Sequence, residues 1–145
     1  MAELELRGVG PKDLGAIRGL MMQLRPGQDF PKGAFEERYQ KMLSDPLVAY
    51  QAAALDGEMI GFVSLRLGGN LVQGPGAIVD ELIVDEKYRG RGVGRALLRW
   101  ALERARREGC QWVQANSNHH RLEAHRFYQR QGFRDEGKCF IKGLQ

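Results

Sequence analysis

Glu81-Leu82-Ile83-Val84-Asp85-Glu86-Lys87-Tyr88-Arg89-Gly90-Arg91-Gly92-Val93-Gly94-Arg95 reads as the end of a strand, a glycine-rich turn and the start of a helix. The strand is the apolar run Ala77 to Val84. The helix runs to Glu108, with Val93, Ala96, Leu97, Trp100, Ala101 and Ala105 as its buried stripe and Gly109 as its stop. This order is a general way to hold phosphate, because amides with no intrahelical acceptor and the positive end of the helix dipole converge at the turn. Glycines let the backbone approach closely. Arg89, Arg91 and Arg95 add guanidiniums that fork onto phosphate oxygens. Spacing excludes two common ligands: a dinucleotide fingerprint counted from Gly90 needs glycine where Arg95 stands, and a P-loop needs a Lys-Ser or Lys-Thr pair that is absent. A flexible turn with solubilising arginines would not require the strand and helix flanks.

Working toward the N-terminus, Gly68 to Gly76 reads as a glycine-rich loop. Before it, the apolar runs Leu47 to Leu55 and Met59 to Leu67 are separated by Asp56-Gly57-Glu58, a hairpin signal. Pro31 to Leu43 predicts a helix with Phe35, Tyr39, Met42 and Leu43 on one side, ended by Asp45-Pro46. Pro11 opens an earlier helix with Leu14, Ile17, Leu20, Met21 and Leu24 at helical spacing, stopped by Arg25-Pro26-Gly27. Leu4 and Leu6 alternate with charges in a short strand. Toward the C-terminus, Gln111 to Ala115 predicts a strand, Asn116 to Asn118 a cap, His120 to Gln131 a helix ended by Gly132, and Phe133 to Leu144 a final strand region. With no repeat or linker composition, 1–145 is expected to be one α+β domain around a mixed sheet.

The chain has 145 residues, a formal charge of +4 and two cysteines. Cys110 and Cys139 lie in apolar stretches and are expected in the core of a protein from a reducing compartment. The acidic N-terminus does not suit a signal peptide and no apolar run spans a bilayer, so the expectation is a soluble, cytoplasmic protein without membrane contact. Basic residues crowd from Lys87 to Arg107 and from Arg121 to Arg134 among helical apolar positions, which favours a folded anion site over a nucleic-acid arm.

Arg89-Gly90-Arg91-Gly92-Val93-Gly94 resembles the acyl-CoA signature [QR]-x-x-G-x-[GA] of the GNAT N-acetyltransferases, and Ala124 to Phe133 resembles their C-terminal alanine, tyrosine and glycine-phenylalanine segment. The element order matches along nearly the whole chain. Asp45-Pro46, Leu55 to Glu58, Glu81-Leu82 and Arg121 to Tyr128 resemble more closely the aminoalkylphosphonate N-acetyltransferases within that superfamily, whereas the helices before residue 45 match poorly. The resemblance implies a mixed, mostly antiparallel sheet flanked by about four helices, an acetyl-CoA co-substrate, no metal, and a homodimer.

It further implies that pantetheine pairs with the main chain of Leu82, Ile83 and Val84, that the turn from Arg89 through Gly90, Arg91, Gly92, Val93 and Gly94 to Arg95 takes the pyrophosphate, and that an acceptor amine attacks the acetyl carbonyl. The oxyanion would meet an N–H near the end of the Ile83 strand. Because an alkyl amine near ~10.4 costs on the order of 4 kcal/mol to deprotonate at neutral pH, a base is useful. Glu81 is the candidate, directly or through water, with Asp80 expected on the other face of the strand. Tyr128 is the candidate acid for the CoA thiolate, with a solvated strand carboxylate and a packing tyrosine as the plain alternatives. Arg121 stands where many relatives have asparagine, so it is assigned to CoA, with Asn118 as the substitute amide.

His119, His120 and His125 share a helix start, but no cysteine or carboxylate completes a metal set. Met21, Met22, Asp29 and Phe30 are candidates for the acceptor pocket. Arg66, Lys32 and Arg38 are candidates for binding a phosphonate. A non-catalytic acyl-CoA sensor and a basic nucleic-acid-binding module are the rival readings; Tyr128 argues against the first, and arginines placed for CoA phosphates argue against the second.

Overall fold

The computed structural model describes residues 3–117 and 121–144. Its order is β1 (Leu4–Arg7), α1 (Leu14–Leu24), α2 (Lys32–Leu43), β2 (Val48–Leu55), β3 (Glu58–Asn70), β4 (Gly74–Val84), α3 (Val93–Arg107), β5 (Trp112–Ala115) and α4 (Leu122–Arg130), with short 3-10 turns at Pro11–Asp13 and Glu86–Tyr88. The strands form one sheet in the order β1-β2-β3-β4-β5. All neighbours are antiparallel except β4 and β5, which the α3 crossover makes parallel.

The β2–β3 hairpin closes through Asp56 and Gly57, both at positive φ (51° and 80°), as expected of an Asp-Gly turn whose twist suits the strands. The stretch Gly68 to Gly76 is not a loop. β3 and β4 pair through it, with Gly68 opposite Gly76, Gly69 opposite Pro75 and Asn70 opposite Gly74, and Asn70 Oδ1 accepts from Val72 N and Gln73 N to close a tight turn. Two of its glycines serve close approach: a Cβ on Gly76 would lie 2.1 Å from the Trp112 ring, and one on Gly69 2.3 Å from Gly74 O.

Each sheet face carries its own core. On one, α3 buries Val93, Leu97, Leu98, Ala101 and Ala105 against Val63, Leu65, Ala77 and Val79. Trp100 is only half-buried and Leu98 takes a full core position. On the other, α1 and α2 bury Ile17, Leu20, Met21, Leu24 and Tyr39 against Ala52, Phe62 and Ile83, while Met42 stays exposed. Asp13, itself buried, ties β1 to the start of α1 by accepting from Arg7 at 3.0 and 3.2 Å and from Gly10 N at 2.9 Å. The Arg7 guanidinium holds the Asp13 carboxyl below its ordinary range, against the opposing effect of burial.

Two expectations fail at the C-terminus. Residues 134–144 carry no strand and are all exposed, with Phe140 at 88%, Ile141 at 90% and Leu144 at 93%, because no described strand edge of the same chain pairs with them. Cys139 lies on this exposed tail rather than in the core, whereas Cys110 is half-buried; both are free thiols. Among the described residues no helix is long and apolar enough to cross a membrane.

Candidate active site

β4 does not alternate regularly. Ser64 pairs with Glu81 and Leu65 with Val79, so Asp80 is an extra residue bulged out of the ladder. The bulge puts two neighbouring side chains on one face. Ser64 and Arg66, two apart on β3, both point toward α1 and α2; Ser64 Oγ donates to Glu81 Oε2, and Arg66 Nε and Nη2 donate to Asp80 at 2.8 and 3.1 Å. Asp80 therefore shares the face of Glu81, contrary to the alternation of an unbroken strand. Ser64 Oγ also accepts from Glu81 N at 3.0 Å, clamping the bulge on both sides.

Burial raises the Glu81 pKa above the ordinary carboxylate range, Asp80 pushes it the same way, and the Ser64 hydrogen bond, Arg25 and Arg66 oppose the shift. Tyr50, opposite Ser64 on β2, is raised by burial first and then by the Glu81 charge. These side chains line a cavity of about 40 Å³ with Met42, Val48 and Leu65, room for a water but not for an amine substrate. A larger cavity of about 260 Å³ lies along α3 from Arg95 to Arg106 and includes none of the carboxylates on β4.

Beyond the bulge β4 also loses its other neighbour. The β4–β5 ladder ends at Val79 opposite Ala115, so Asp80 to Val84 present one backbone edge that no strand among the described residues covers. Leu82 and Val84 turn toward the α3 core and Ile83 toward the α1 core, which leaves their main chain as what the split displays. At the end of this edge Arg89 Nε donates to Val84 O at 3.1 Å. Gly90 and Gly92 then take φ of 78° and 84°, and Gly92 is the N-cap of α3 with no side-chain cap for its first amides. Arg89, Arg91 and Arg95 are exposed around this turn, Arg91 lying 5.3 Å over the Tyr88 ring.

α4 crosses the same end of α3. A Cβ on Gly94 would lie 3.7 Å from the Phe127 ring and 3.6 Å from Val84, so this packing fixes the distance between the two helices. Tyr128, the next residue on α4, is half-buried between Phe127 and Phe133 with ring centroids 5.4 Å from each. Burial pushes the Tyr128 phenol up to about 12, with Arg121 opposing the shift. Arg121 is the half-buried N-cap residue of α4.

The fold thus joins Glu81 to Val84 directly to the Arg89 to Arg95 turn, against which α4 packs through Phe127, with Tyr128 next to it on the helix and Arg121 at the helix start. Asn118, His119 and His120 lie outside the described residues; among those described, no group of three metal-ligating side chains converges. Of the acceptor-side candidates, Met21 and Phe30 are core residues, Met22 and Asp29 are exposed, Arg66 is committed to Asp80, and Lys32 and Arg38 are exposed on α2. Ser64, Tyr50 and Arg25 were not anticipated. Ser64 is the polar residue in the otherwise apolar run Met59 to Leu65, a signal that was present; Arg25 is masked in the sequence by its place in a helix-stop triplet.

The model of the Acetyltransferase (GNAT) family matches residues 16–133. The chain is 33% identical to the aminoalkylphosphonate N-acetyltransferase of Salmonella typhimurium, over 99% of this chain and 94% of that protein. It is 31% identical to the type 1 aminoglycoside N(6')-acetyltransferase of Stenotrophomonas maltophilia, over 90% and 86%. A crystal structure of an aminoglycoside N-acetyltransferase in complex with CoA superposes with a TM-score of 0.87, covering 100% of this chain and 97% of that one at 21% identity, a likeness of fold.

Proposed function

The chain belongs to the acetyltransferase (GNAT) family and is an N-acetyltransferase, and from that premise we propose that it moves an acetyl group from acetyl-CoA to the primary amine of a small molecule by direct attack. The observation that carries this reading is the β4 edge from Asp80 to Val84, unpaired among the described residues, which leads to the uncapped N-terminus of α3, where α4, the helix of Tyr128, packs through Phe127. An extended pantetheine has the shape and the alternating amides to pair with Leu82, Ile83 and Val84, and the Arg89 to Arg95 turn suits its pyrophosphate. Acetyl-CoA supplies the activated acyl group. We assign the remaining work to the chain.

Glu81 takes a proton from the acceptor's ammonium, through a water in the small cavity beside it, and the free amine then attacks the acetyl carbonyl. Its raised pKa brings it nearer the range in which a carboxylate is an effective base at neutral pH. Tyr128 returns a proton to the leaving thiolate. A phenol at about 12 is fully protonated in the resting enzyme, but it stands about 3.5 units above an ordinary thiol, so the transfer is uphill by about 5 kcal/mol rather than the 2 kcal/mol of an unperturbed tyrosine. Direct donation therefore depends on the thiolate forming in the same low-dielectric site, which raises its basicity as well.

Within this reading 1–145 acts as one catalytic domain, the acceptor is an aminoalkylphosphonate-like amine, as the name of the Salmonella relative supports, and the protein works in the cytoplasm, where its two thiols stay reduced. We also propose a homodimer, in which the exposed tail 134–144, with Cys139-Phe140-Ile141 as its apolar centre, adds to the β5 edge of a second copy. That edge, Trp112–Ala115, has no charge or proline to defend it, whereas the opposite edge β1 carries Glu5 and Arg7.

CoA-thiol release from acetyl-CoA across 1-aminoethylphosphonate, spermidine, kanamycin and short peptides tests the reaction. The expected result is amine-dependent turnover whose kcat falls roughly 10²- to 10⁴-fold in Tyr128→Phe. Tight acetyl-CoA binding with no turnover on any amine would instead favour an acyl-CoA sensor.

A further inference from the structure

We propose that Ser64 is a positioning residue for the candidate base: its hydroxyl occupies one oxygen of Glu81, Oε2, and so reserves the other, Oε1, for proton exchange with the acceptor. The proposal rests on the acetyl-transfer reading above and names a further residue on which its base depends.

Ser64 is the polar residue in the buried run Met59 to Leu65 and is itself 2% exposed. Burying a hydroxyl is unfavourable unless its hydrogen bonds are made, and here both are made to one residue. The Asp80 bulge sets the two opposite each other, since Ser64 pairs with Glu81 and the next residue, Leu65, already pairs with Val79. A hydroxyl has one proton to give. The Glu81 amide, which can only donate, reaches Ser64 Oγ at 3.0 Å. Oγ accepts there, and its own proton goes to Glu81 Oε2.

A carboxylate whose Oε2 already holds a donor takes its proton on the other oxygen. Among the described residues nothing donates to Oε1, and the sealed side-chain atom left without a partner is Ser117 Oγ, not Oε1, so Oε1 stays open. Glu81 lines the cavity of about 40 Å³ together with Ser64 and Tyr50, which has room for one water. The acceptor's ammonium gives a proton to that water as the water gives one of its own to Oε1, and the amine is freed while the Ser64 bond is kept. Without the hydroxyl the carboxylate turns about its last torsion, which is broad and two-fold in glutamate, and presents either oxygen.

The other groups around Glu81 are Asp80 on β4, Arg66 on β3 and Arg25 at the end of α1, with the Tyr50 phenol from β2. Arg66 is held by Asp80 at 2.8 and 3.1 Å. Among the described residues Ser64 is the one that donates to the Glu81 carboxylate, and its hydrogen bond favours the ionised form against burial.

The test uses a shape-matched pair, Ser64→Thr, which keeps the hydroxyl, and Ser64→Val, which replaces it by a methyl. Each is assayed alone and combined with Glu81→Gln, with acetyl-CoA and the best acceptor of the amine panel. Ser64→Val should lower kcat roughly 10- to 100-fold, the worth of one hydrogen bond to a charged group, with the KM for acetyl-CoA unchanged. Ser64→Thr should recover most of that loss. The acid limb of the pH–rate profile should move to higher pH in Ser64→Val and stay in place in Ser64→Thr. On the Glu81→Gln background Ser64→Val should cost nothing more, because its effect passes through the carboxylate. Equal kcat in the two single variants, or as large a loss from Ser64→Val on the Glu81→Gln background, would overturn the assignment. Ser64→Ala takes the place of Ser64→Val if calorimetry shows that valine is not accommodated. If no amine turns over, the acetyl-transfer reading fails, and a carbon-13 NMR titration of the Glu81 carboxyl, identified by its loss in Glu81→Gln, decides the Ser64 contact separately. A midpoint higher in Ser64→Val than in wild type and Ser64→Thr supports the proposal, and one common midpoint sinks it.

Discussion

Glu81 is held in a mixed environment, dehydrated by its place on β4 yet hydrogen-bonded by Ser64 and faced by Arg25 and Arg66. Its folded pKa lies above its unfolded one, so the protonated form is favoured by folding. The sign follows: the group's stabilising contribution is complete below the unfolded carboxylate pKa and is lost as pH rises through the higher folded value. Glu81→Gln, which keeps a partner for Ser64, should accordingly melt at the same or higher temperature than wild type at pH 8, while its kcat/KM drops roughly 10²- to 10⁴-fold. The acid limb of the wild-type pH–rate profile should lie above the ordinary carboxylate range and disappear in the variant; scanning calorimetry and initial rates between pH 4 and 9 check both. The chemical identity of this residue was legible, since a carboxylate before a strand end and glycine turn is conspicuous. Its company was not, because Ser64, Tyr50 and Arg25 meet it only through cross-strand pairing and the packing of α1.

Among the elements, those marked by local chemistry were readable and those made by pairing were not. Asp56-Gly57 announces its turn through the positive φ both residues must take, and the apolar stripe of α3 announces its buried face. The bulge at Asp80 leaves no trace in composition, since one extra residue in an apolar-acidic strand looks like any other. The glycines from 68 to 76 suggested a loop because glycine is a turn former, but here Gly76 admits the Trp112 ring against the sheet and Gly69 the backbone of Gly74 across the hairpin. At the α3 N-terminus glycine has its other use: Gly92 sits at φ 84° with open space around it. Gly92→Ala should therefore cost about 1–2 kcal/mol through backbone strain alone, and any shift of the turn should raise the KM for acetyl-CoA severalfold while leaving the acceptor KM unchanged. Denaturant melts and steady-state kinetics separate the two effects.

On the scale of the whole molecule, the mixed sheet flanked by helices was anticipated, and the exposed tail was not. Residues 134–144 have strand composition, but a strand exists only beside another strand, and among the described residues none pairs with this tail. If a second copy supplies that edge, light scattering should find a dimer for the full chain and a monomer after removal of 134–144 or in Phe140→Asp/Ile141→Asp; a monomeric full-length protein would count against the assembly. The split beside β4 has a corresponding consequence within each copy. On the proposed pairing, a ligand along Leu82 to Val84 would be a sixth strand as much as a reactant, and the sheet would be complete only while the co-substrate is bound. By mass action the folded state then gains stability with occupancy, about 2.7 kcal/mol at a hundredfold excess over Kd, and the protein's survival against unfolding and proteolysis is tied to the acetyl-CoA supply that also sets its rate.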